Sequence, residues 1–242
     1  MKAIFKLAVL ILAFVTASCG GKFSSGKQQG LTPYFDLDWA KNSLWDDGQA
    51  EVALYDASRV IYNKPRYFEY AYILVKEDFN AEFGVKTDDY GRKDLYSVMK
   101  VNQFADIPTE NYPYHFLTSI FFKRENPIQA HKMTYSSQEW CGNTFKLFQE
   151  KGSQFAYTYH SYWDGQGDGT EMIDATPLWE DQLPYTLRAL KFSNDLKFSL
   201  PLYSSQINSR ADLPTAYQAD FSIASLEAID SLPGRLPMQP VW

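Results

Sequence analysis

The chain has 242 residues, 45% of them hydrophobic and 17% aromatic, with 23 basic against 29 acidic side chains. That balance excludes a nucleic-acid ligand, which demands a basic footprint, and excludes electrostatic attachment to an anionic lipid surface. The hydrophobic fraction is that of a folded domain rather than a disordered chain.

The first element in the chain reads as a signal. Lys2 and Lys6 give a positive start, Leu7 to Val15 an apolar run, and Thr16-Ala17-Ser18 small residues ahead of Cys19. The run is too short for a membrane span, which needs about 20 apolar residues. A positive end, short apolar core and small-residue site describe a secretory signal that is removed. A cysteine directly after them is the pattern of bacterial lipoproteins, here with Thr16 where leucine is usual. The expectation is a signal peptide over residues 1–18 and lipid attachment at Cys19. Each buried CH₂ of a lipid chain adds roughly 0.8 kcal/mol, and two chains anchor stably. Residues 19–30, rich in glycine and polar side chains, read as a flexible tether. Loss of Lys2 and Lys6 leaves 21 basic against 29 acidic residues. The chain has two cysteines, so a lipidated Cys19 leaves Cys141 alone, without an internal disulfide.

Residues 31–242 then read as a single β-rich domain. Strands are expected over Glu51 to Ile61, Tyr67 to Lys76, Leu95 to Phe104, Phe116 to Lys123, His131 to Trp140 and Thr144 to Gln149. A turn at Lys151-Gly152 leads into another from Gln154 to Trp163. The Tyr67 to Lys76 segment is apolar on both faces, which predicts burial on both sides. Leu196 to Leu202 and Tyr217 to Ile223 alternate cleanly as half-buried strands. Between these groups, Leu178 to Lys191 reads as one helix, with Thr176 as cap, Pro177 at its first position and Pro184 implying a kink or later start. A short helix near Leu37 to Leu44 is also expected. Many short strands without βαβ alternation give an all-β, mainly antiparallel fold, as a curved open sheet or barrel with one short helix near 178–191, or alternatively a β-sandwich. The ending from Leu236 to Trp242 reads as the start of a further strand, as in a C-terminally truncated product.

Few residues carry a chemical signature. Cys141 in Gln138-Glu139-Trp140-Cys141-Gly142 becomes a nucleophile only beside a base or positive charge. The histidines available are His115, His131 and His160. A Cys141–histidine pair defines the alternative reading, a hydrolase or thiol enzyme. The simpler expectation is a buried, inert thiol beside a core tryptophan. Glu139, if inward, needs a partner such as Arg59, Arg66 or Arg188. The loop Asp164 to Gly169 resembles half of a calcium loop, with Asp164 and Asp168 as candidate ligands, but Gln166 stands at its third position and Ala175 at its twelfth. No phosphate loop, zinc motif or nucleophile elbow occurs, and no cofactor is expected. Tyr67, Phe68, Tyr70, Tyr72, Tyr112, Tyr114, Tyr157, Tyr159, Tyr162 and Trp163 fit either a sheet core or a cavity for lipid or glycan.

Several segments together resemble a family of predicted lipoproteins from Bacteroidota. They are Trp45-Asp46-Asp47-Gly48-Gln49-Ala50-Glu51, Val75-Lys76-Glu77-Asp78-Phe79, Val98-Met99-Lys100-Val101-Asn102, Tyr112-Pro113-Tyr114 with Thr118-Ser119, and Gln138 to Gly142. The resemblance runs from Trp45 to Leu190. It implies a β-rich surface or periplasmic protein and supplies no catalytic residues. Some members carry the label "septum formation inhibitor Maf". This chain has neither the signature nor the α/β architecture of the Maf nucleotide pyrophosphatases. The expected protein is therefore a membrane-anchored envelope lipoprotein, most simply of the outer membrane and facing the periplasm or cell surface. Its role is binding or structural, with a lipid, glycan or envelope protein as ligand.

Overall fold

The computed structural model describes residues 31, 33–193 and 195–224. The expected signal peptide, Cys19, the tether and the ending from Leu236 lie outside the described residues. No helix among the described residues is long and apolar enough to cross a membrane.

The strands are β1 (Glu51–Ile61), β2 (Lys64–Asn80), β3 (Val85–Lys86), β4 (Leu95–Ile107), β5 (Tyr114–Lys123), β6 (Ala130–Glu139), β7 (Gly142–Lys151), β8 (Gln154–Ser161), β9 (Asp168–Asp174), β10 (Leu178–Trp179), β11 (Lys197–Tyr203) and β12 (Ala216–Ser222). Nine of them form one antiparallel meander in the order β1-β2-β4-β5-β6-β7-β8-β9, with β3 paired on β2. The sheet is open, not a barrel. The second sheet, β10-β11-β12, has three strands and a parallel β10–β11 pairing.

Alternation along each strand sorts side chains between two faces. Leu74, Val101, Ile120, Met133, Phe148 and Tyr157 stand in one cross-strand row over six strands, and all are sealed from solvent. Each such side chain contributes roughly 1.5–3 kcal/mol on burial. Residues 178–212 return over this face. Trp179 packs on Phe148 and Tyr203 at ring separations of 4.5 and 4.9 Å, and Tyr185 stacks on Phe122 at 4.1 Å. The segment before β1 joins the same layer. Arg124 clamps it by two hydrogen bonds to the Asp46 carboxylate and others to the carbonyls of Ala40 and Asn42.

Three expectations need correction. The one short helix expected near 178–191 is present with the later start that Pro184 implied, but it is only α1 (Leu183–Thr186), and the rest of Leu178 to Lys191 holds β10 and 3₁₀ turns at Glu180–Gln182 and Leu187–Ala189. Proline is tolerated only in a helix's first turn, so Pro184 sets the start of α1, while pairing with Leu202 and Tyr203 draws Leu178 and Trp179 into a strand. The short helix near Leu37 to Leu44 is two 3₁₀ turns, Trp39–Lys41 and Ser43–Asp46. The second face of β2 is only half-buried at Ala71, Ile73 and Val75, because no described element covers the sheet's reverse face there. Toward one end, the β2–β3 hairpin folds over that face. Lys132 Nζ donates to the Gly84 carbonyl at 2.9 Å, and Phe79, Val98 and Phe121 are buried together.

Residues 204–212 strap the covered face. Lys146 points inward from β7, is fully buried, and donates to the carbonyls of Gln206 and Arg210 at 2.8 and 2.9 Å. Three further oxygens, from Gln206 and Asn208, lie at 3.4 Å, and the ammonium sits 4.3 Å from the Tyr135 ring centre. Burial pushes Lys146 down to about 7, while the carboxylates of Asp181 and Asp212 favour its charge. Asp181, also buried, accepts from Ser205 Oγ and the Gln206 amide at 2.5 and 2.7 Å. Its own pKa is raised by burial.

Candidate functional site

A meander places alternate connections at the same end of its sheet. The β1–β2, β4–β5, β6–β7 and β8–β9 connections share one end, and each carries an aromatic residue: Tyr62, Tyr112, Trp140 and Tyr162. The motif Gln138 to Gly142 lies here. Glu139 pairs with Gly142 across the hairpin, so Trp140 and Cys141 form its two-residue tip. Trp140 is 78% exposed, the most exposed of the large apolar side chains described.

Neighbours hold the tip in place. The Trp140 ring stacks on Tyr112 at 5.6 Å with 17° between planes. Tyr112 OH lies 2.6 Å from Cys141 Sγ, and this contact raises the Tyr112 phenol to about 12. Thr109 closes the loop beneath through its hydroxyl to the Tyr112 carbonyl at 2.7 Å. Tyr112 contacts Tyr114 at 5.6 Å, and Tyr114 shares a hydroxyl–hydroxyl hydrogen bond with Tyr62. On the other flank, Gly142 lies under Tyr162. A Cβ at this position would come within 2.3 Å of the Tyr162 ring, so only glycine fits without displacement.

The β1–β2 turn is strained. Tyr62 and Asn63 have φ of 53° and 59°. A two-residue hairpin of this type needs left-handed conformations at both positions, which glycine and asparagine supply cheaply and tyrosine does not. Yet Tyr62 is 69% exposed. Strain kept at an exposed ring points to a use for that ring rather than to packing.

The two glutamates nearby differ in their partners. Glu110 binds Lys64 at 2.7 Å and also Arg66, which hold its carboxyl down at about 2. Glu139 is buried and receives Ser137 Oγ at 3.5 Å. None of Arg59, Arg66 and Arg188 pairs with it: Arg66 serves Glu110, Arg188 serves Glu51, and Arg59 donates to the Ile207 carbonyl.

Cys141 is exposed, not buried, because a hairpin tip projects beyond the sheet. Its hydrogen-bond partner is a tyrosine. Each histidine is instead held by a carboxylate: His115 by Asp106 at 2.7 Å, His131 by Glu150 at 2.9 Å and His160 by Asp168 at 3.1 Å. The Cys141–histidine pair of a thiol enzyme is not formed. His131 also meets Tyr96 OH at 3.1 Å, in a cleft at the opposite end of the sheet. In the Asp164 to Gly169 loop, Asp168 is taken by His160. Gln166 ties the loop to the strap, accepting from the Ala211 amide and donating to Asp212. Among the described residues no three His, Cys, Asp or Glu side chains converge as metal ligands. Of the aromatics proposed as cavity-lining, Tyr72 and Tyr157 are core, while Tyr67 and Tyr162 face solvent.

The segments quoted for the family resemblance come together in two places. Tyr112-Pro113-Tyr114 meets Gln138 to Gly142 at the aromatic end. Asp46 meets Lys76 at 3.4 Å beside Arg124 near the other end. The second meeting is a structural clamp. The first leaves rings exposed. No protein-family model, curated protein or solved structure matches the chain.

Proposed function

We propose that this protein is a lipid-anchored envelope protein with a binding role. Lipid on Cys19 attaches it to the membrane, most simply the outer membrane, and the aromatic end of the sheet recognises the ligand. The observation that carries this reading is Trp140, exposed at a hairpin tip yet held flat against Tyr112. Exposed, well-supported tryptophan and tyrosine side chains are the usual anchors of recognition surfaces. The covered face supports a surface site, since it is filled by Phe148, Tyr157, Trp179 and Tyr185 rather than left open for an internal ligand.

Two measurements test it. Cys19→Ala should move the protein from the membrane to the soluble fraction in the source cell. A photo-crosslinking residue at Trp140 should capture envelope material that the same residue at Tyr67 does not. Membrane retention by Cys19→Ala removes the anchor. Equal capture from both positions removes the aromatic end as the recognition surface.

A further inference from the structure

We propose that the aromatic end binds an extended, neutral sugar chain, with the exposed rings stacking on alternate pyranose faces. The proposal rests on that end being the recognition surface and names what it takes.

Spacing is the first observation. Neighbouring connections on this end are two strands apart, which is about 10 Å at the usual strand separation. That matches a disaccharide repeat in an extended β-linked chain. Tyr62, Trp140 and Tyr162 are the rings most open along it, 69%, 78% and 60% exposed. The second observation is preorganisation. Trp140 is backed by Tyr112, Tyr62 is fixed by its turn and by Tyr114, and Tyr162 rests on Gly142. Rings already immobilised lose little freedom on binding.

The chemistry between the rings is the third. A pyranose is apolar on its faces and hydroxylated at its edges, and an aromatic ring flanked by amides complements both. Gln138 and Asn143, exposed and paired across the β6–β7 hairpin, lie directly beside Trp140, and Asn63 lies beside Tyr62. Glu110 is neutralised by Lys64 and Arg66 and Glu139 is buried, so neither carboxylate presents a charge that calls for an ionic ligand. A protein partner would instead be expected to meet a contiguous apolar centre of roughly 800 Å² per side with a polar rim, whereas Tyr62, Trp140 and Tyr162 are the large apolar side chains exposed in these connections, too few for such a patch.

Position is the fourth. Leu31 packs against the apolar cluster that contains Ile128, and Ile128 lies in the β5–β6 connection at the opposite end of the sheet. A tether arriving at Leu31 leaves the aromatic end turned away from the anchor by the length of β5, ten residues or roughly 33 Å.

The test uses the full lipidated chain in detergent, titrated with a β-1,4-linked N-acetylglucosamine hexamer and with a β-1,4-linked glucose hexamer, followed by calorimetry and tryptophan fluorescence. Saturable binding to either is expected, and the better of the two identifies an amino-sugar or a plain glucan source. Trp140→Ala should weaken it at least tenfold, and Phe192→Ala, exposed elsewhere, should leave it unchanged. Tyr62→Gly should weaken it several-fold while leaving Tm unchanged or raised, a combination that a merely structural tyrosine would not give. Binding of neither hexamer, or equal binding by Trp140→Ala, overturns the proposal. Specific crosslinking from position 140 without hexamer binding would overturn the sugar ligand alone. Loss of both would remove the recognition surface as well.

Discussion

One hairpin, β6–β7, holds two inversions of the usual rule. At its tip Trp140 stands in water, and six residues on Lys146 is sealed in the core. The lysine is explained from within: a strap of backbone carbonyls and the Tyr135 ring surround its ammonium. The tryptophan is only half explained, since Tyr112 covers one side of the ring and no described residue covers the rest. Buried polarity with every partner present is architecture. Exposed apolarity held rigid is an invitation to a ligand. The contrast separates what this chain needs in order to fold from what it keeps for something else.

The contrast can be broken at either pole, and the lysine should respond most. Lys146→Met strands the strap's oxygens and should cost about 3 kcal/mol, since removing one partner of a buried charged contact is strongly destabilising. Urea unfolding would measure it, and a loss below 1 kcal/mol would show the strap to be held by other contacts. The same residue should set a pH slope. Its folded pKa is lowered to about 7, below the roughly 10.4 of an exposed lysine. The unfolded chain therefore binds more protons between these values, and stability should rise from pH 7 toward pH 10. Above that, buried Tyr70, Tyr72 and Tyr157, whose pKa values are raised by burial, reverse the slope as the unfolded chain ionises first. Lys146→Met should lack the rise, and a rise surviving in that variant would assign it elsewhere.

Gly142→Ala acts between the poles. The new Cβ must displace Tyr162 near the base of its ring, for a loss of about 1–2 kcal/mol. An unchanged Tm would show that the hairpin shifts freely. Trp140→Ala should move stability least, within about 0.5 kcal/mol, as an exposed substitution does. A loss above 1.5 kcal/mol would make Trp140 a packing residue and undo the contrast.

Much of the sheet was legible in the sequence. β1 was expected with its observed bounds, and β4 to β8 with small shifts at their ends, because alternation and turn residues mark half-buried strands. β9 was not, since Asp168-Gly169-Thr170-Glu171-Met172-Ile173-Asp174 lies at the edge and has no apolar alternation to read. The site was legible only as a motif. Gln138 to Gly142 and Tyr112 to Tyr114 stand apart in the sequence, and their meeting depends on the β5–β6 register, with His115 opposite Gln138. The burial predicted for Cys141 failed because a two-residue tip does not continue the strand's alternation. Lys146 did carry a signal, lying between inward Thr144 and Phe148 at period two. Its acceptors, 60 residues on, could be supplied only by the fold.

The strap also orders events in time. The meander pairs each long strand with its sequence neighbour, so it can grow hairpin by hairpin as the chain emerges. The lid over its apolar face comes from residues 178–212, and the Lys146 contacts form only once residues 206–210 arrive. Until then a broad apolar surface lies bare, the condition in which chains aggregate or are bound by chaperones. This late closure keeps the sheet uncommitted until residues 206–210 have been delivered.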